Sequence, residues 1–259
     1  MELTEEQVAD WHRDGFLHLA GFFPAEPLIS WTEELESWPE SAGQWMKYFE
    51  TSTDGSDPRM LCRVEKFLEH HEGWRGVLES PSLLRVLEQL FGEPAVLFKE
   101  KINYKQAGGS GFTAHQDAPA FAAFGQEFHI TAMVSVDPTH EGNGCLEMAF
   151  GRHRVGLLEM DGSQSLSEAA IDQERWQPVT TEPGDLVLFG SFLPHRSGPN
   201  LSDSSRRAAY LTYNGVSQGV RRDAYYSDKR RVFPPEIERE PGRDYSDTGL
   251  YNIGNPIRT

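Results

Sequence analysis

The chain has 259 residues, of which 38% are apolar and 25% charged, and this balance excludes a disordered, collagen-like or coiled-coil protein. A formal net charge of −16 argues against a nucleic-acid partner, because such proteins present a basic surface to phosphates. No stretch approaches the roughly 18–20 apolar residues of a membrane span, so no membrane partner is expected. The acidic N-terminus and two cysteines interpreted as free thiols, Cys62 and Cys145, predict a cytoplasmic protein.

Residues 1–94 show mainly helical patterns. Thr4 opens the capping box TEEQ ahead of an apolar stripe that ends at Gly15, and Pro24 opens a second helix. The amphipathic segment PSLLRVLEQLF, residues 81–91, predicts a third helix. Between the first two helices, FLHLAGFF alternates weakly, as a strand does. We therefore expect a mostly helical N-terminal part.

From residue 95 onward the apolar period changes to two, which is typical of strands. The segment AVLFKEKINYK has a polar face and an apolar face, and further strands are predicted at HITAMVSVD, GCLEMAF, GDLVLFG and RAAYLTYNGV. In the first segment, the residues of the polar face are Lys99, Lys101, Asn103 and Lys105. Those of the apolar face are Phe98, Ile102 and Tyr104. Short strands with Gly-rich turns predict an antiparallel barrel or sandwich over 95–215. Residues 216–259 are expected to form a tail packed on this core, within a single domain over 1–259.

Three residues have the types and spacing of a metal site. His115 and Asp117 flank one residue, so an extended backbone places both side chains on one face. His195 follows the predicted strand GDLVLFG and would complete two imidazoles and one carboxylate, the ligand set of non-haem Fe(II) oxygenases. An H-x-D tripeptide alone is a weak signal, since most occurrences lie in surface loops. Gln116 would point away from these ligands, and we expect it to have a structural role.

Two arginines, Arg206 and Arg207, follow on the next predicted strand. That strand returns beside the previous one in an antiparallel barrel, so one arginine can point into the cavity that holds His195. Neighbours on a strand face opposite ways, so the other arginine must point elsewhere. A guanidinium in the cavity would bind a carboxylate through two hydrogen bonds, which a lysine does less rigidly.

The segments TEEQVADWHRDGFLHLAGFF, HQD, NGCLEM and PGDLVLFGSFLPHRSGPNLSDSSRR occur in this order along nearly the whole chain. In this pattern the sequence resembles the phytanoyl-CoA dioxygenase family of Fe(II)- and 2-oxoglutarate-dependent oxygenases. The resemblance implies a mainly β fold with flanking helices, built on a double-stranded β-helix (jelly-roll, cupin-like) core. It also implies an enzyme, a hydroxylating dioxygenase.

The resemblance implies roles for individual residues. His115, Asp117 and His195 would hold Fe(II), and 2-oxoglutarate and O2 would be cosubstrates. Arg206, chosen over Arg207 by the family's spacing of eleven residues from the distal histidine, would hold the distal carboxylate of 2-oxoglutarate together with Ser197. Two further candidates for 2-oxoglutarate are Thr131 and Asn103. A carboxylate at position 117 points to hydroxylation, because related halogenases have a small residue there that leaves room for chloride.

The polar face of AVLFKEKINYK suggests an anionic substrate. Inward-facing ammonium groups are costly in a barrel unless an anion neutralises them, whereas an outward, solvated face is the simpler alternative. The runs FKEKINYK and GFTAHQDAPAFAAFG and the C-terminal tail are similar to the branch of the family that hydroxylates small organophosphonates, such as 2-aminoethylphosphonate, at the carbon next to phosphorus. The candidates for substrate binding are Lys99, Lys101, Lys105, Tyr104 and Arg258, with Asn255, Phe121 and Phe124 as further possibilities.

Two other functions stay open at this stage. One is the same oxygenase chemistry on another small metabolite, such as a betaine, an amino acid or a secondary metabolite, or on an acyl thioester. The other is a non-catalytic jelly-roll binding protein, against which the intact set of His115, Asp117, His195 and Arg206 counts. The sequence leaves the oligomeric state undetermined.

Overall fold

The computed structural model describes residues 1–161 and 165–245 together with Tyr251 and Ile257. The strands are β1 (Phe16–Leu19), β2 (Met46–Glu50), β3 (Met60–Glu65), β4 (Ala95–Lys105), β5 (Phe112–His115), β6 (His129–Ser135), β7 (Leu146–Ala149), β8 (Trp176–Val179), β9 (Leu186–Gly190), β10 (His195–Ser197) and β11 (Arg206–Gly215). The α-helices are α1 (Glu5–Asp14), α2 (Ala25–Ser37), α3 (Glu72–Leu78), α4 (Pro81–Phe91), α5 (Ala118–Ala122), α6 (Glu168–Asp172) and α7 (Arg222–Val232). None of these helices is long and apolar enough to cross a membrane.

The strands form two antiparallel sheets. The larger sheet has the order β1-β9-β6-β11-β4-β3-β2, and the smaller one has the order β5-β10-β7-β8. Side chains from both sheets line one cavity, so the sheets face each other across it. The neighbours in each sheet are mostly distant along the chain, as expected for a jelly roll. The mainly β class with flanking helices is confirmed.

The helices of the N-terminal part cover the outer face of the larger sheet. In α4, Leu83, Val86 and Leu87 are fully buried at helical spacing, and they pack in one cluster with Ile102 of β4 and Leu211 of β11. Burying each such side chain contributes about 1.5–3 kcal/mol. The helices therefore make one face of the larger sheet an apolar core and leave its inner face to line the cavity.

The N-terminal part is less purely helical than its sequence suggests. The capping box at Thr4 and the left-handed Gly15 bound α1 as predicted, and β1 is the strand expected from FLHLAGFF. However, β2 and β3 also lie in this part and extend the larger sheet beyond the predicted 95–215 core. The residues of β3 are all buried, so this strand lacks the polar alternation that would have revealed it.

Strands β4 and β11 pair along nearly their whole length and set the inner face. Their register places Lys105 beside Arg206 and Lys101 beside Tyr210. A register shift opposite Thr212 and Tyr213 interrupts the alternation near Phe98. As a result, Phe98 does not join Ile102 and Tyr104 under the helices, as expected from simple alternation, but packs with Phe121 and Tyr225 in a second cluster.

The prediction that Tyr104 binds substrate is wrong. Tyr104 is completely buried on the helix-covered face, and its hydroxyl donates to the carbonyl of Thr32 at 3.1 Å. Side chains alternate along a strand, so the same geometry that turns Lys101 and Lys105 inward turns Tyr104 away.

The C-terminal tail contains α7, which the sequence pattern did not predict. Two buried ion pairs dock this helix on the larger sheet. Arg222 Nε donates to Glu100 at 2.9 Å, and Lys229 Nζ donates to Glu65 at 2.6 Å. The hydroxyl of Tyr226 adds a hydrogen bond to the Glu100 carbonyl at 2.7 Å. The stripe of α7 that faces the sheet is therefore largely polar, which is why apolar periodicity failed to reveal it.

Removing Glu100 should destabilise the protein strongly. Its carboxylate is fully buried and shares Arg222 with Glu69, whose side chain is 45% exposed. We expect Glu100→Ala to lower the free energy of unfolding by about 3–5 kcal/mol, because it leaves a buried guanidinium without its buried partner. Urea unfolding monitored by circular dichroism measures this loss. The matched control, Glu69→Ala, should cost less than about 1 kcal/mol, and equal losses in the two variants would contradict this account.

Candidate metal centre and adjoining cavity

Three candidate metal ligands meet at the cavity between the sheets. β5 and β10 pair with His195 opposite His115, and the two ring centroids lie 4.3 Å apart. Asp117 follows β5 directly at the start of α5, with Oδ1 4.0 Å from His115 Nε2. The ligand atoms of all three residues lie within 4.8 Å of one another. Across the described ranges, no other three His, Cys, Asp or Glu side chains are grouped in this way.

Hydrogen bonds leave the Nε2 atoms of both histidines available. His115 Nδ1 donates to the Thr113 carbonyl at 2.6 Å, and His195 Nδ1 donates to the Leu193 carbonyl at 3.0 Å. A carbonyl can only accept a hydrogen bond, so Nδ1 carries a proton in both rings, and in the neutral ring Nε2 keeps the lone pair that a metal needs. Such bonds to the second ring nitrogen are typical of metal-binding histidines, because they orient the ring.

The ionisation of these groups also suits a cation. Burial lowers the pKa of His115 to about 3, and His195 lowers it further, so the His115 imidazole is neutral at pH 7. Burial alone would raise the pKa of Asp117, but His195 and Lys99 hold it well below its usual range. A neutral imidazole and a carboxylate therefore converge with His195 Nε2. This donor set fits a divalent ion such as Fe(II).

Gln116 lies between two of these residues but does not join them. Its amide nitrogen donates to the carbonyls of Gly156 and Phe192, at 2.9 and 2.6 Å, and its oxygen accepts from the backbone of Leu158 at 2.8 Å. Gln116 thus ties the end of β5 to Phe192 and to the loop that contains Gly156 and Leu158, and these contacts agree with the structural role expected from alternation.

A second group of polar side chains, Arg206, Lys105 and Ser197, forms a buried cradle. Arg206 is 1% exposed, and its Nε and Nη2 atoms have no hydrogen-bond partner in the described part of the chain. Beside it, Lys105 Nζ donates to Ser197 Oγ at 2.8 Å. Buried guanidinium nitrogens without partners are costly, so acceptor oxygens of a ligand would be favourable here. Arg207 faces the other way and binds Asp137 through two nitrogens, each at 2.8 Å.

Gly144 of the NGCLEM segment permits this cradle to close. Its φ of +70° is a left-handed conformation, and a Cβ there would lie 2.3 Å from the carbonyl oxygen of Gly198 and 2.8 Å from Lys105 Nζ. Lys105 Nζ also donates to the Gly144 carbonyl at 3.2 Å. Only glycine combines this backbone conformation with such a close approach.

Thr131 and Asn103 line the same cavity as the three candidate metal ligands. Thr131 Oγ1 lies 3.1 Å from Thr212 Oγ1 on the neighbouring strand. Asn103 Oδ1 accepts a hydrogen bond from Arg63 Nε at 3.0 Å. The amide of Asn103 is therefore engaged with β3, whereas the two threonine hydroxyls form a polar pair on the cavity wall.

Lys99 and Lys101 face the cavity, so the alternative of an outward, solvated face is wrong. Lys99 is only 8% exposed, and both lysines line the cavity together with Asp117. Neither ammonium group has an ion pair or a hydrogen bond with any described residue. Lys99 Nζ lies 4.5 Å from the centroid of the Phe121 ring. Burial lowers the pKa of both lysines, and for Lys101 the charges of Arg63 and Lys99 lower it further.

Four residues of the cavity wall were missed by sequence reasoning. They line the part of the cavity away from the cradle, together with Lys99 and Lys101: Arg63, Glu65, Tyr225 and Tyr251. The first two lie on β3 and the third on α7, the elements that sequence patterns did not predict. The spacing of Tyr225 and Lys229 by four residues was the available signal for α7.

Other predicted substrate residues lie elsewhere. Lys105 is at the Arg206 end, where it contacts Ser197. The ring of Phe121 is covered by Lys99, and Phe124 packs against Phe98. Predicted positions Arg258 and Asn255 lie outside the described residues.

The chain is similar in sequence to a known family and to individual proteins. The family model described as phytanoyl-CoA dioxygenase (PhyH) matches residues 11–208. The chain is 51% identical to the 2-aminoethylphosphonate dioxygenase of uncultured bacterium HF130_AEPn_1, over 98% of each chain. It is 40% identical to the methylphosphonate hydroxylase of Gimesia maris, over 89% of this chain and 88% of that protein.

Solved structures agree on the fold. A crystal structure of EctD from S. alaskensis with 2-oxoglutarate and 5-hydroxyectoine superposes with a TM-score of 0.71 at 20% identity, covering 83% of this chain and 77% of that one. The epimerase SnoN in complex with Fe3+, alpha-ketoglutarate and nogalamycin RO superposes with a TM-score of 0.67 at 18% identity, over 98% and 95% of the two chains.

Metal binding should depend on each of the three ligands. We expect the wild-type protein to bind Fe(II) in anaerobic equilibrium dialysis, and His115→Ala, Asp117→Ala and His195→Ala each to weaken binding by about 100-fold or more, because each removes a donor. The control is His12→Ala, which changes an exposed histidine of α1. Undiminished binding by any of the three variants would remove that residue from the site.

Proposed function

The chain belongs to the phytanoyl-CoA dioxygenase family of iron- and 2-oxoglutarate-dependent oxygenases, and we propose that its substrate is 2-aminoethylphosphonate. The enzyme is a dioxygenase that uses Fe(II), 2-oxoglutarate and O2. In the proposed reaction it hydroxylates the carbon next to phosphorus and releases succinate and CO2. We also propose a cytoplasmic location, which the two buried free cysteines favour, and no nucleic-acid partner, as the acidic composition suggests.

In this proposal His115, Asp117 and His195 hold the iron. Bound there, Fe(II) supplies the activation of O2 that makes an unreactive C–H bond accessible to hydroxylation while 2-oxoglutarate is decarboxylated. The two histidines present Nε2 because their Nδ1 protons are held by backbone carbonyls. A carboxylate at Asp117 completes the ligand set and favours hydroxylation over halogenation.

Arg206 and Ser197 are proposed to bind the distal carboxylate of 2-oxoglutarate. The two guanidinium nitrogens of Arg206 without described partners match the two oxygens of a carboxylate. Ser197 Oγ accepts from Lys105 Nζ, so its own proton is free to be donated to the same carboxylate. Thr131 and Asn103, which line the cavity together with Ser197 and the candidate metal ligands, are proposed to contact the rest of the cosubstrate.

One observation carries the substrate assignment: two lysines, Lys99 and the half-buried Lys101, line the cavity of the candidate metal ligands without forming an ion pair with any described residue. Lys99 and Lys101 lie in the cavity with Asp117, and Arg63 lies beside them. A phosphonate dianion would supply the counter-ion that these ammonium groups lack. Its negative charge would raise the lowered pKa values of both lysines toward the ordinary value. The names of the relatives, a 2-aminoethylphosphonate dioxygenase and a methylphosphonate hydroxylase, support the same substrate class.

Holding the phosphonate beside the metal ligands brings its neighbouring carbon to the site of reaction. Tyr225 and Tyr251 line the same part of the cavity and would exclude water from the bound substrate, which helps to position one C–H bond for attack. A betaine would bring a cation toward lysines, and a long acyl thioester would need a broad apolar groove. The cationic wall therefore favours a compact anion over both.

Substrate-dependent turnover tests this assignment. Protein reconstituted anaerobically with Fe(II) and 2-oxoglutarate should release succinate on admission of air much faster with 2-aminoethylphosphonate than without it. Mass spectrometry should detect a product heavier by one oxygen. Slow release that neither 2-aminoethylphosphonate nor methylphosphonate changes would discard the phosphonate assignment and leave the oxygenase class. Iron-loaded protein that releases no succinate under any condition would favour a non-catalytic binding protein.

The two adjacent arginines should behave differently. We expect Arg206→Ala to raise the 2-oxoglutarate concentration for half-maximal rate by about 30-fold or more, because two charge-assisted hydrogen bonds are lost. Arg207→Ala is the matched control, since it breaks the contacts with Asp137 on the opposite face and should lower only thermal stability. Steady-state titrations of 2-oxoglutarate at saturating substrate measure the difference. The reverse order of effects would mean that Arg207 holds the cosubstrate.

A further inference from the structure

We propose that Glu65 binds the ammonium group of the substrate and thereby selects aminoalkyl phosphonates over alkyl phosphonates. This inference rests on the proposed function and deepens it. Glu65 ends β3, is 1% exposed, and lines the cavity beside Lys101, Tyr225 and Tyr251.

Only one oxygen of the Glu65 carboxylate is used within the described residues. Oε1 accepts from Lys229 Nζ at 2.6 Å and from Arg63 Nη1 at 3.2 Å. Oε2 has no hydrogen bond from a described residue. A buried carboxylate oxygen seeks a donor, and the cavity is the space that Glu65 borders. Glu65 thus offers a ligand one strong acceptor.

Glu65 carries a full negative charge at neutral pH. Burial by itself would raise its pKa, but the charges of Lys229 and Arg63 lower it to about 2. The carboxylate is therefore a charged acceptor. A hydrogen bond from an ammonium group to such an acceptor is stronger than one between neutral groups.

The position of Glu65 relative to Lys101 fits a short zwitterion. The two residues are register partners on neighbouring strands, so their side chains start side by side on the same face. Their charges are opposite, yet they form no ion pair within 4.0 Å, because Glu65 is drawn toward Lys229 and Arg63. A ligand with its anionic group on Lys101 and its ammonium group on Glu65 would bridge this gap. The two carbons between phosphorus and nitrogen in 2-aminoethylphosphonate give such a span.

The surroundings of Lys229 show how the region around Glu65 accommodates a primary ammonium group. Lys229 Nζ, bound to Glu65, lies 5.0 Å from the ring centroid of Tyr48 and 5.9 Å from those of Tyr225 and Tyr251. These distances are typical of cation–π contacts. Lys229 uses Oε1 of the carboxylate, so Oε2 is left for a substrate ammonium group. Tyr225 and Tyr251, which lie near Lys229, also line the cavity beside Glu65.

The test compares 2-aminoethylphosphonate with propylphosphonate, in which a methyl group replaces the ammonium group. We expect Glu65→Gln to reduce the ratio of kcat/KM values for these two compounds by about 10- to 100-fold, as the loss of a charge-assisted hydrogen bond predicts. Anaerobic calorimetry of the enzyme loaded with Fe(II) and 2-oxoglutarate should show the same loss of preference in binding. A wild-type enzyme that ignores 2-aminoethylphosphonate refutes the proposed function. A Glu65→Gln enzyme that keeps the wild-type ratio refutes this inference alone.

Lys229→Met is the matched control, because it breaks the same ion pair from the other side while leaving Glu65 charged. This variant should keep the preference for the amino compound, and an equal loss of preference would assign the effect to packing. The double variant Glu65→Gln with Lys229→Met removes both buried charges and should fold even where Glu65→Gln alone does not. It should show the same loss of preference as Glu65→Gln, and retention of the wild-type ratio would overturn the proposal.

Discussion

The burial of positive charge on the inner face of β4 is the constraint on which the rest of the site depends. Lys99, Lys101 and Lys105 alternate along this strand, and the register with β11 adds Arg206 beside Lys105. Taking such groups out of water is costly unless hydrogen bonds or opposite charges compensate for the lost hydration. The structure compensates part of this charge: carbonyls and Ser197 accept hydrogen bonds from Lys105, whereas Lys99 and Lys101 face the cavity, which is where we propose that anionic ligands bind.

The acidic composition of the chain does not conflict with this basic cavity. A net charge of −16 influences solubility and distant encounters, and salt screens its effect over roughly 8–10 Å. Inside the cavity the nearest charges dominate, because the local dielectric is low. Glu65 and Asp117 are the acidic side chains that border the cationic part of the cavity. Each is held in its ionised form by neighbouring positive charges.

Sequence reasoning was effective where the signal is local. The boundaries of α1 depend on a capping box and a glycine within the same short segment, and the inward set on β4 depends on alternation within one strand. The convergence of His115 with His195 could also be anticipated, because each lies at the end of a strand. The family resemblance supplied the choice between Arg206 and Arg207, which residue patterns alone had left open.

Sequence reasoning was ineffective where the position of an element depends on residues far away in the sequence. β3 is buried on both faces, so its pattern has no period, and α7 docks through Arg222 and Lys229 rather than through an apolar stripe. The partners of both helix residues are acidic groups far away in sequence. The interruption of side-chain alternation near Phe98 likewise arises from the pairing of β4 with β11. The sequence of β4 alone does not reveal this pairing.

The two elements that were not predicted, β3 and α7, contribute a separate part of the site. The candidate metal ligands come from β5, from the residue before α5 and from β10, and the proposed cosubstrate cradle comes from β4, β10 and β11. The proposed substrate wall is added by β3 and by α7. The ion pair between Glu65 and Lys229 joins these two additions, so the carboxylate that helps to dock α7 also borders the proposed substrate site. Because Glu65 is not one of the candidate metal ligands, changes at this carboxylate would alter which substrate is recognised while leaving the iron-binding residues in place.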